Sequence, residues 1–147
     1  MSQKVLTPQE VQDALSSNSS AVYIDVRTVT EFATGHPRGK VVNIPIEFYH
    51  PTTKETIANA SFLEVAQSLY EKDAPLIAGG AADTRATQAA QKLAEAGYTN
   101  VCIMSDGFPA WRSAKLPTTT DNRDGISYVS LLTPAKRKGK KKKAAHS

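Results

Sequence analysis

The stretch "LIAGGAADTRATQAAQKL", residues 76–93, decides how the rest of the chain reads. Leu76-Ile77-Ala78 is a short apolar run of strand character, closed by Gly79-Gly80. Ala81, Ala82 and Asp83 form a small-residue loop, and Thr84-Arg85 open a segment of helical composition. Strand, tight loop and helix N-terminus together can hold an anion or a nucleophile, because backbone N–H groups converge there with the positive end of the helix dipole. No Cys, Ser or Lys stands in this loop to serve as the nucleophile.

Outward from that stretch, strands and helices alternate. "AVYIDV" (21–26), "VVNIP" (41–45) and "NVCIM" (100–104) are β-branched apolar runs and read, with "APLIAGG", as four buried strands. "KVL" near the start adds a fifth, at an edge or beside the core. Thr7-Pro8 marks a helix start, and Val11 and Leu15 share a face of that helix. "TVTEFATGH" gives one or two helical turns stopped by Gly35, and "SSNSS" (16–20) reads as a polar loop. In the helix over 61–72, Phe62, Val65 and Leu69 face inward; in the helix that ends at Gly97, Ala89, Leu93 and Ala96 do. "GFPAWRSA" is a short helix whose Phe108 and Trp111 read as core, and residues 46–57 read as a loop. This order predicts an α/β fold with a parallel sheet covered on both faces and a site beyond the C-terminal strand ends. The loop after Gly80 lies at such an end.

Composition narrows the class. The 147 residues are 40% hydrophobic and 22% charged, with mean hydropathy −0.36, which fits one soluble domain with a real core. No apolar run is long enough to span a bilayer, and the N-terminus lacks a secretory signal pattern. One cysteine, Cys102, and three scattered histidines lead us to expect no disulfide, no metal and no cofactor, in a reducing compartment. The formal charge of +4 is uneven: residues 134–147 hold seven Lys or Arg and no acid, leaving 11 basic and 14 acidic residues elsewhere. The body is thus mildly acidic. The basic run is expected to be a flexible polycation suited to nucleic acid or another polyanion, to a nuclear address, or to solubility alone. It has no interleaved aromatic for base stacking.

Three separated motifs then carry a family resemblance across roughly residues 7–117. "DVRTVTEFATGHPRGKVVNIP" resembles the opening signature of rhodanese-like domains, and "GFPAWRSAKLP" resembles their closing one. "LIAGGAADTRATQAAQKLAEAGYTNV" has the pattern of their active-site strand, loop and helix. The resemblance implies a rhodanese-like α/β domain with a central five-stranded parallel sheet flanked by helices on both faces. That domain is expected to take up residues 1–120, with 121–147 as a flexible C-terminal extension bearing the Lys/Arg-rich tail (134–147). The resemblance also implies that the site is the loop Gly80, Ala81, Ala82, Asp83, Thr84 and Arg85, supported by Asp25 and Arg27.

Active members carry Cys-x-x-Gly-x-Arg in that loop, where the cysteine takes up sulfane sulfur as a persulfide. Aligned on Arg85, the cysteine position is Gly80 and the loop glycine is Asp83. The longer loop of the related phosphatases would place the position at Gly79 or Ala78, again without sulfur. The loop is therefore expected to be vestigial, with Asp83 capping the following helix and filling the cradle from within. Asp25 and Arg27 either touch the loop or form a structural ion pair at a strand end. Glu31 and His36 form no obvious pair, and His36 is expected to cap or pack. Cys102, inside a strand, reads as a buried apolar residue. "GGAADT" lacks G-x-G-x-x-G and Gly-Lys-Ser/Thr.

The expected function is that of a non-catalytic module, a pseudoenzyme that binds a protein partner or a small anion and carries a polybasic tail. The alternative is a thiosulfate or sulfane-sulfur sulfurtransferase acting through Cys102 or a partner's thiol. A cytoplasmic monomer, or a nuclear one through the tail, completes the expectation.

Overall fold

A computed structural model describes residues 4–17, 20–50 and 52–145, with side chains as far as residue 137. In chain order the elements are β1 (Lys4–Leu6), α1 (Pro8–Ser17), β2 (Val22–Asp25), α2 (Val29–Thr34), β3 (His36–Pro37), β4 (Val41–Asn43), β5 (Glu47–Tyr49) and β6 (Thr56–Ala58). Then follow α3 (Phe62–Leu69), β7 (Leu76–Gly79), α4 (Asp83–Glu95), β8 (Val101–Met104), α5 (Gly107–Ser113), β9 (Thr118–Thr119) and α6 (Tyr128–Ala145). Five strands pair in parallel in the order β1-β8-β7-β2-β4, so the expected five-stranded parallel sheet is present with helices on both faces.

Two-sided burial explains the unbroken apolar strands. Val22, Ile24, Leu76, Ala78, Val101 and Ile103 meet Phe62 and Val65 of α3, Ala89 and Leu93 of α4, and Tyr128 and Leu131 of α6. On the other face, Tyr23, Ile77 and Met104 meet Val11 of α1, Phe32 of α2, and Phe108 and Trp111 of α5. Local caps fix the helix ends. Thr7 and Glu10 exchange hydrogen bonds at the start of α1, and Thr28 and Glu31 form a capping box on α2. At the end of α4, Tyr98 N–H returns to Leu93 O and Gly97 N–H to Ala94 O, both at 3.0 Å.

Two expectations change. Residues 46–57 are not simply a loop: β5 and β6 pair as an antiparallel hairpin, with Phe48 opposite Ile57. Leu69 does not join Phe62 and Val65 inside and is 40% exposed, because α3 ends there. Thr118 and Thr119 pair with β3, and Tyr128, Leu131 and Ala135 of α6 are buried against the sheet face shared with α3. Their i, i+3, i+7 spacing is an apolar stripe hidden in sequence by the charge that follows it. The helix continues through most of the basic run, to Ala145. Of the "SSNSS" loop, residues 18 and 19 lie outside the described residues, and residues 16 and 17 belong to α1.

Candidate active-site loop

The loop sits at the C-terminal end of β7, central in the sheet, where the topology places ligand sites. Gly79 is required by its neighbour: a Cβ there would collide with the Tyr23 hydroxyl. Gly80 is different. Its backbone does not lie in the left-handed region, and a Cβ would stand 3.5 Å from Ala86 N and 3.0 Å from Ala82 O. A side chain at residue 80 would therefore start against the first turn of α4. Among the described residues, no protein acceptor takes the N–H groups of Ala81, Ala82, Asp83, Thr84 or Arg85.

Asp83 does not fill that space. It is the first residue of α4 rather than its cap; Ala82 holds the cap position with no side-chain hydrogen bond. The Asp83 carboxylate instead accepts from the Asp106 N–H at 2.7 Å, in the loop before α5. Two further contacts tie the same loops together. Phe108 N–H donates to Gly80 O at 2.8 Å, and Gly107, at φ +69°, lies so close to Ala81 that a Cβ would come within 2.5 Å of its carbonyl. The expected self-capping fails because the Asp83 carboxylate instead takes the Asp106 N–H of the neighbouring loop, a contact that no local pattern reveals.

Arg85 is already engaged. Its guanidinium forms a two-armed ion pair with Glu31, Nη1 to Oε1 at 2.7 Å and Nη2 to Oε2 at 3.0 Å. The Arg85 hydrogen bonds, aided by donors from Thr28, outweigh partial burial and bring the Glu31 carboxyl down to about 2. This pairing was not expected. Thr28-x-x-Glu31 does read as a capping box, but the reach from α2 across to α4 requires the tertiary fold.

Asp25 and Arg27 form a buried, forked ion pair, with Arg27 Nη2 to Asp25 Oδ2 at 2.7 Å and Nε to Oδ1 at 2.9 Å. Arg27 also donates to Gly35 O at 2.7 Å and lies over the Phe108 ring, 4.4 Å from its centre. The pair thus braces the end of β2, the C-cap of α2 and α5. His36 is buried, stacked on Phe32 at 3.6 Å, with Nδ1 donating to Phe32 O at 2.9 Å. Burial pushes its pKa down.

Cys102 lies in β8 opposite Ile77, three residues before Gly80 and about 10 Å down the strand. Its side chain belongs to the sheet face packed by α1 and α5, not the face of α4. It is half-buried rather than enclosed, in a groove of about 420 Å³ with Leu6, Ala14 and Ile77, and burial pushes its thiol pKa up. A thiol held protonated and away from the N–H cradle is a weak nucleophile.

A second groove, of about 640 Å³, opens directly beside Arg85, between the N-terminal end of α2 and the β5–β6 hairpin. Glu31, Glu47, Phe48 and Tyr49 form much of its wall. Sequence reasoning passed over the hairpin residues because their alternation is short and weakly apolar.

Comparison with known proteins fits this geometry. The family model for the rhodanese-like domain matches residues 7–114. Rhodanese-like domain-containing protein 17 from Arabidopsis thaliana is 31% identical over 129 residues, covering 87% of this chain and 81% of that protein. Thiosulfate sulfurtransferase GlpE from Haemophilus influenzae (strain PittEE) is 32% identical over 120 residues, covering 82% of this chain and 98% of that one. The solution structure of the rhodanese-like domain of the Alr3790 protein from Anabaena sp. superposes with a TM-score of 0.65 at 23% identity, over 81% of this chain and 80% of that one.

Proposed function

The chain belongs to the rhodanese-like domain family, and on that premise we propose that it is a non-catalytic member that binds a small anion or a protein partner at its active-site loop. The observation that carries the reading is the glycine at residue 80, on a backbone that would set a side chain against the first turn of α4. The scaffold for a sulfur carrier is kept while the sulfur atom itself is missing. Without that atom the covalent step is lost, not merely slowed.

Five backbone N–H groups and the start of α4 suit an anion, whereas the Arg85 guanidinium is held by Glu31. The module works as a monomer in the cytoplasm or nucleus, and the basic run from Lys136 is its contact with nucleic acid or another polyanion. A second reading has one specific support: the GlpE relative is named a thiosulfate sulfurtransferase. On that reading sulfur passes through Cys102 or a thiol supplied by a partner. Intact-mass measurement after incubation with thiosulfate separates the two. The first reading expects an unmodified chain; one added sulfur on Cys102 selects the Cys102 form of the second, and sulfur transfer that appears only when a partner thiol is added selects its other form.

A further inference from the structure

The groove between α2 and the β5–β6 hairpin has a charge opposite to that of the cradle beside it. Its one cation among the described residues, Arg85, already spends both arms on Glu31. Glu47 also lines the groove and has no ion-pair partner among the described residues. The Arg85 guanidinium holds the Glu31 carboxyl well below the usual carboxylate range, so it is ionised at neutral pH. The groove therefore carries about one uncompensated negative charge, beside the rings of Phe48 and Tyr49. A carboxylate next to aromatic faces accommodates a guanidinium, which can stack and fork at once.

The wall is held from behind. Phe48 packs against the Tyr128 ring at 6.1 Å, and the Tyr128 hydroxyl accepts from Asn59 Nδ2, which also donates to Pro45 O. Tyr128 lies beyond residue 114, where the family match ends, so a segment outside that match shapes the groove. Beside it, Tyr49 and Ile57 are 51% and 52% exposed and extend the apolar surface along the hairpin. That surface suits the residues flanking a bound side chain, not a free inorganic ion.

We propose that this groove receives an arginine side chain of a partner polypeptide. The chain's own basic run is a poor source: it holds one arginine among lysines, and Lys136 at its root is paired with Glu64 at 2.8 Å.

The test is a titration of the isotopically labelled full chain with N-acetyl-arginine amide, using N-acetyl-citrulline amide as the neutral isostere. The expected result is saturable shifts at Thr30, Glu47, Tyr49 and Thr56 with the arginine probe. The citrulline probe should bind more weakly, and Glu47→Gln should cut arginine affinity about five-fold at unchanged folding. Equal response to both probes, shifts confined to residues 81–85, no saturable shift, or an indifferent Glu47→Gln would overturn the proposal. Sulfur transfer by the chain would refute the non-catalytic reading and leave this one standing.

Discussion

Replacing Glu31 by glutamine isolates the charge that ties α2 to the active-site helix. Glutamine still serves the capping box with Thr28, so local helix structure is kept. A carboxyl that falls from 4.5 to about 2 is favoured in its ionised form by roughly 3 kcal/mol. The Glu31 side chain is 37% exposed, so solvent screening reduces this to about 1–2 kcal/mol. The folded pKa lies below the unfolded one. The stabilisation is therefore fully present above about pH 4.5 and is lost as pH falls toward 2. Urea unfolding of parent and Glu31→Gln from pH 7 to pH 2.5 should show a gap of about 1–2 kcal/mol at neutral pH, or roughly 3–6 °C in melting temperature. The gap should narrow steadily below pH 4.5. A gap independent of pH, or none at neutral pH, would refute the reasoning.

Gly107→Ala should cost about 2–3 kcal/mol in thermal unfolding, because a Cβ would press on the Ala81 carbonyl at 2.5 Å and φ is +69°. The buried Tyr23 hydroxyl has no hydrogen-bond partner among the described residues, so Tyr23→Phe should be neutral or stabilising by up to about 1 kcal/mol. A clear loss of stability would disprove its isolation. Asp83→Ala should cost about 1 kcal/mol and move the Asp106 amide proton resonance upfield by removing its acceptor. An unmoved Asp106 amide would restore the self-capping role.

The sheet was legible because buried parallel strands announce themselves: "AVYIDV", "VVNIP" and "NVCIM" each contain a core strand. The loop was legible as a place, at the end of β7, and the pairing of Asp25 with Arg27 was one of its two expected readings. Contacts between elements distant in sequence were not legible. Arg85 and Glu31 are separated by 54 residues, and Asp83 and Asp106 by 23, so no spacing rule connects them. The root of α6 was hidden for another reason: Tyr128, Leu131 and Ala135 adjoin a run whose charge dominates any compositional reading. The hairpin wall was missed because Glu47, Phe48 and Tyr49 are too few to display a period.

The central claim is that the sulfur missing at residue 80 is what keeps this loop from sulfur chemistry. A Cβ at Gly80 needs the Ala82 carbonyl to give by only a few tenths of an ångström, and Asp83 is best left in place to hold Asp106. Thiosulfate–cyanide turnover should therefore be measured for the parent chain and for Gly80→Cys side by side. The account predicts no turnover by the purified parent and measurable turnover by the variant; turnover by the parent, free of any partner, would contradict it.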